Sequence, residues 1–174
     1  LSYDVTAENR RGGEIMANLI NERRVVSAIV LNESSVLPRI TAMFEGRGYN
    51  IESLTVSPIP DSDMTNIPIA TNGSAKVMEQ ITKQLHKLIP VYKVIEHEEM
   101  VEKEMVLAKF PIAEHLSDIG ALCAAYNGGI VNVGKEMIIA MVADEPKRIK
   151  HFIEASQRYN PCEIVRGGVV AIER

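Results

Sequence analysis

The sequence predicts an α+β protein built from one βαββαβ unit used twice. Three observations carry this expectation. From Arg23 to Glu99, short β-branched runs alternate with helical stretches in the order strand, helix, strand, strand, helix, strand. The same order begins again at Glu102. Tyr49-Asn50-Ile51 in the first unit is echoed by Tyr126-Asn127-Gly128-Gly129-Ile130 in the second, an offset of about 75 residues that marks an internal repeat.

Residues 1–22 show no strong period and carry Gly12-Gly13 with several charges, so they read as a mobile extension with a short helix near 14–21. "RRVVSAIVL" (23–31) is β-branched and too short for a buried helix, hence a strand. A helix from about Ser35 to Arg47 follows, with Leu37, Ile40, Met43, Phe44 and Arg47 recurring at helical spacing. Pro38 fits only in its first turn. Ser34 or Ser35 is then the cap, and Gly46 or Gly48 the stop. "YNIESLTVSPIP" (49–60) and "MTNIPIATNG" (64–73) read as strands joined by Pro60-Asp61-Ser62-Asp63. Ser74 caps a helix with Val77, Ile81, Leu85 and Leu88 on one side, and "VYKVIEHEE" (91–99) returns as a strand.

The second unit opens with the strand "EKEMVLAKFP" (102–111). A helix near 115–127 carries Leu116, Ile119, Cys123 and Tyr126 at helical spacing. "GIVNVG" and "KEMIIAMVA" give two strands within 129–143. Pro146 suits the first position of a helix striped by Ile149, Phe152 and Ile153, and "EIVRGGVVAIER" (163–174) closes as one strand. The architecture is two ferredoxin-like βαββαβ domains, 23–99 and 100–174, divided near Met100-Val101. In the first strand Val25, Ile29 and Leu31 oppose Val26, Ala28 and Val30; later Met137, Ile139 and Met141 oppose Ile138, Ala140 and Val142. Two helices cover one face of a four-stranded sheet, so a second apolar face or a sheet edge calls for self-association.

Composition narrows the function classes. With 46% hydrophobic and 24% charged residues, the 174-residue chain has an ordinary globular composition. A net charge of −4 argues against nucleic acid and anionic membrane as partners. No apolar run reaches the ~20 residues of a membrane span, and the first 20 residues lack a signal segment, so a cytoplasmic location is expected. Cys123 lies on an apolar helix stripe and reads as core filler, whereas Cys162 is assigned nothing. His86, His97, His115 and His151 share no ligand spacing, so no metal site is expected. No nucleophile elbow or Walker loop is present, and no catalytic residue is assigned. "EHEEMVEKE" (96–104) reads as a solvated linker.

What remains is "LNESSVLPRITAMFEGRGYNIESL" (31–54). A helix start offers unpaired N–H groups and partial positive charge, which suit a carboxylate. Asn32 precedes this helix and Asn50 begins the next strand, and the two strands are expected to be neighbours. An Asn amide donates to a carboxylate and accepts from an ammonium. Leu37 and Ile51 are placed to meet an apolar side chain, so a free amino acid fits. Helix capping by Asn32 and an ordinary turn at Asn50 would explain the same residues, and the residues alone do not choose.

At these positions the sequence resembles the regulatory (small) subunits of acetolactate synthase, also called acetohydroxyacid synthase. "RRVVSAIVLNES", "FEGRGYNIESLTVSPI", "QITKQLHKLIPVYKVIEHE", "VEKEMVLAKF" and "EIVRGGVVAIER" look like that family's signatures in family order, from Arg23 to Arg174. The resemblance implies an ACT domain at 24–99 that pairs with a second copy, and valine bound at the dimer interface. It implies activation of a separate catalytic subunit that carries thiamine diphosphate, magnesium and FAD, with none of these cofactors in this chain. Bound valine then inhibits the assembled enzyme, the first common step toward valine, leucine and isoleucine.

Carried over by position, the resemblance implies effector contacts from Asn32, Asn50 and Ile51, and backbone N–H groups from Ser34, Ser35, Val36 and Leu37. This sequence has Ser35 where the family usually has glycine, Pro38 where it usually has another residue, and Pro68 inside the third strand. Ser35 adds bulk beside the ligand and puts valine sensitivity in question. Pro68 suggests an edge or a bulge. The alternative reading is a free-standing amino-acid-binding ACT protein that controls another partner; co-purification with a thiamine-diphosphate enzyme separates the two.

Overall fold

A computed structural model of the chain describes residues 22–96, 99–112 and 116–174. The expected helix at 14–21, the N-terminal extension up to residue 21, and His97 and His115 lie outside the described residues. The chain divides into two compact units, the second spanning Glu99–Arg174.

In the first unit the strand β1 (Glu22–Leu31) leads into helix α1 (Val36–Glu45). Strands β2 (Ile51–Leu54), β3 (Ser57–Pro58) and β4 (Met64–Gly73) follow, then helix α2 (Ala75–His86) and strand β5 (Val91–Glu96). The sheet runs β2–β4–β1–β5, with β3 also on β4 and every pairing antiparallel. Val26, Ala28 and Val30 of β1 and Ile67 and Ile69 of β4 alternate inward against Ile40 and Phe44 of α1 and Met78, Ile81 and Leu85 of α2. Leu37 does not join this stripe; it is 37% exposed, while Val36 is buried in its place. The Ser74 side chain caps α2 by accepting from the Val77 N–H at 3.4 Å.

Two sequence expectations for this sheet are corrected. β1 and β2 are not neighbours, because β4 lies between them. Pro68 is not on an edge strand either: it is buried in β4, opposite Ser27. Its carbonyl accepts from the Thr55 N–H at 3.2 Å, so its missing N–H points the same way, toward the break between β2 and β3. The irregularity that proline demands sits in the partner strand.

The second unit comprises β6 (Met100–Pro111), α3 (Leu116–Ala125), β7 (Gly128–Val133), β8 (Met137–Asp144) and α4 (Pro146–Ser156). It closes with β9 (Glu163–Arg166) and β10 (Val170–Glu173). β7, β8 and β6 lie side by side, and β9 and β10 both pair with the far edge of β6. The expected single last strand is therefore split at residues 167–169, where the Gly167 N–H still donates to the Met105 carbonyl at 2.8 Å. Residues 100–104 belong to β6 rather than to a linker, and Glu104 is buried.

Val106, Ala108, Phe110, Ile138, Ala140 and Val142 form the inward face, covered by Ile119, Cys123, Ile149 and Phe152. Burial pushes the Cys123 thiol up, in keeping with core filler. Pro146 stands at the start of α4, as its fixed φ favours.

Glu104 and Asp144 are buried directly opposite each other on β6 and β8, a like-charge pairing that needs compensation. The Arg166 Nε donates to Glu104 at 2.7 Å. Asp144 accepts from the Arg148 Nε at 2.5 Å, the Lys103 Nζ and the Asn127 Nδ2 at 3.0 Å, and the Glu145 N–H at 2.8 Å. Burial alone raises the Asp144 carboxyl, but the bonds from Arg148, Lys103 and the Glu145 N–H outweigh it and hold the group well below the usual carboxylate range.

Candidate functional site

The chain leaves β1 through a tight corner. The Asn32 N–H donates to the Asp63 carbonyl at 2.9 Å, the Glu33 N–H to the Leu31 carbonyl at 2.8 Å, and the Val36 N–H to the Glu33 carbonyl at 3.2 Å. Val36 is thus buried with its N–H engaged, and its expected part as a donor to ligand is corrected. Ser35 is the N-cap of α1, with no capping bond from its hydroxyl. It adopts φ −80° and ψ −10°, a conformation open to any residue, so glycine is not required there for backbone reasons. No acidic residue occupies the first turn of α1, which leaves its partial positive charge unanswered within the helix. Asn32 and Ser34 are exposed, Ser35 is half-buried, and Leu37 stands out beside them.

At the other end of α1, Gly48 takes the left-handed conformation at φ +67°, and the Tyr49 N–H donates to the Phe44 carbonyl at 2.9 Å. The Tyr49 ring packs edge-on against Phe44, with centroids 6.2 Å apart. This fixes where Asn50 emerges. The Thr71 hydroxyl donates to the Asn50 carbonyl at 2.5 Å, while the Asn50 side chain is exposed. Thr71 had no signal in the sequence, because its role depends on the register of β4 against β2.

Within one chain these two turns do not meet. Asn32 is bonded beside Asp63 and Asn50 beside Thr71, at opposite ends of β4. Eight residues of strand separate the two levels, about 26 Å at the usual rise. Helix α1 between them has ten residues and a length of about 15 Å. A single amino acid cannot touch both asparagines of one copy.

Among the described residues, no group of three or more His, Cys, Asp or Glu side chains could hold a metal ion, and no helix is long and apolar enough to cross a membrane.

Comparison with known proteins adds the family context. A family model described as "AHAS small subunit-like ACT domain" matches residues 26–93, and one described as "Small subunit of acetolactate synthase" matches residues 103–174. The acetolactate synthase small subunit of Haemophilus influenzae is 36% identical over 156 residues, which cover 87% of this chain and 96% of that protein. The acetolactate synthase isozyme 3 small subunit of Escherichia coli K12 is 35% identical, with the same coverage of 87% and 96%. The crystal structure of an acetolactate synthase small subunit from Thermotoga maritima superposes with a TM-score of 0.81 at 32% identity, over 88% of this chain and 98% of that one.

Proposed function

This chain belongs to the acetolactate synthase small-subunit family, and from that premise we propose that it activates a separate catalytic subunit and carries feedback inhibition by valine at a niche shared between two copies of its first domain. The observation that carries the two-copy reading is the separation of Asn32 and Asn50 along β4. β2 is an edge strand with the parallel sense of β1, since both run antiparallel to β4. If two copies extend the sheet through their β2 edges about a two-fold axis, the adjoining β2 strands run antiparallel. The Asn50 end of one copy then lies level with the Asn32 corner of the other.

Such a niche suits a branched-chain amino acid. The start of α1, with the Ser34, Ser35 and Leu37 backbone, faces the carboxylate, an interaction of up to ~2 kcal/mol when partly buried. The two asparagine amides serve the charged groups, and Leu37 with Ile51 meets the side chain. Thiamine diphosphate, magnesium and FAD remain with the catalytic chain.

The test is complementation between copies. Asn32→Ala and Asn50→Ala, each alone, abolish valine inhibition of the reconstituted enzyme. Mixed and allowed to exchange subunits, they form heterodimers with one intact niche and recover part of the valine response. No recovery in a verified heterodimer sinks the two-copy site.

A further inference from the structure

Three large apolar side chains are exposed at one outer end of the first sheet. The turn between α2 and β5 is closed by the Val91 N–H, which donates to the Leu88 carbonyl at 3.0 Å, and Pro90 stiffens it. Leu88 packs on the core, whereas Ile89 at the tip is 91% exposed. Tyr92 is the extra residue of a bulge, since Ile29 pairs with Lys93 and Val30 with Val91, and it is 74% exposed. Leu31, 43% exposed, is tied to the same turn, its N–H donating to the Pro90 carbonyl at 3.0 Å. Together the three expose roughly 400 Å², within the range of an ordinary monomer's largest apolar patch, which is often functional.

We propose that this patch docks the catalytic subunit, on a surface there with an apolar cleft edged by lysine or arginine. The proposal rests on the regulatory reading above and gives it a contact surface. A second copy of this chain is not the occupant. β5 is the edge of the sheet opposite β2, so pairing through β2 turns both patches away from the two-fold axis. The charges set the sign of the partner. Glu33, Asp61 and Asp63 are exposed in the loops beside Leu31, and none of them is in an ion pair among the described residues. Lys87 caps the negative end of α2, and Lys93 sits across from Ile29 on the helix-free face. The uncommitted charges beside Leu31 are therefore acidic, and a basic rim on another chain answers them. The position also gives the effector a short path to the partner. Asn32 is held by the Asp63 carbonyl and Leu31, one residue earlier, by the Pro90 carbonyl. A displacement of that corner passes through a single hydrogen bond to the turn that carries Ile89.

The test titrates the full chain into a cognate catalytic subunit and reads acetolactate formation. Ile89→Asp and Tyr92→Ala, at positions exposed enough to spare the fold, each raise the concentration needed for half-activation about tenfold. Both keep the wild-type melting temperature and the wild-type self-association in sedimentation. Asp61→Asn with Asp63→Asn slows association with the catalytic subunit several-fold at low salt and flattens its salt dependence. Wild-type half-activation in Ile89→Asp and Tyr92→Ala overturns the proposal, and so does an unchanged association rate in the double variant. Weakened activation that comes with weakened self-association also overturns it, by assigning the patch to a contact between copies. A wild-type chain that activates while the variants match it sinks the patch alone. A wild-type chain that never activates sinks the regulatory reading, and this proposal with it.

Discussion

Ser35 shows how much one side chain can decide. Its helical φ and ψ carry no strain, so its difference from glycine is a matter of space and of a hydroxyl that caps nothing. Ser35→Gly should tighten valine binding several-fold by calorimetry while costing only a few tenths of a kcal/mol in stability; unchanged affinity would refute crowding. Asp144 acts on stability instead. Asp144→Asn leaves Arg148 and Lys103, both half-exposed, without their anion, and should cost about 2 kcal/mol at pH 7 by urea unfolding. Because the folded carboxyl is held low, its contribution is present above the ordinary value of 3.8 and fades as pH falls toward the folded value. The gap between variant and wild type should therefore narrow in acid. The places of Asn32 and Asn50 at the two ends of α1 were legible in the sequence. Thr71, which anchors Asn50 from 21 residues away, was not, since only pairing brings the two together.

Elements were more legible than their arrangement. The helices and the longer strands followed from β-branched runs, helical stripes, Ser74, Pro146 and the glycines after α1, because those signals are local, whereas the splits of 49–60 into β2 and β3 and of 163–174 into β9 and β10 did not. Sheet order is non-local, which is why β1 and β2 were expected side by side and β4 lies between them. The broken last strand was hidden for a related reason: the valines on both sides of Gly167-Gly168 suit a strand, and only the pairing with β6 reveals the gap. Gly128 belongs at this scale too. A Cβ there would lie 2.6 Å from the Val142 Cγ2 and 2.9 Å from its Cα, and would run into the Met141 carbonyl. Backbone on β8 cannot yield cheaply, so Gly128→Ala should cost about 2–4 kcal/mol, read from thermal melting.

For the whole molecule the decisive measurement is made with the partner present. Adding this chain to a cognate catalytic subunit should raise acetolactate formation, and no gain would remove the regulatory reading. Asn50→Ala should erase the valine response while sparing that gain; loss of both would point to a broken dimer. The distance between Asn32 and Asn50 along β4 carries one more implication. When each copy supplies half of a binding niche, the metabolite acts as a clamp, tightening the very pairing on which its own capture depends. Diluting the chain should then blunt sensitivity to the metabolite, and saturating amounts of it should rescue the pair from falling apart.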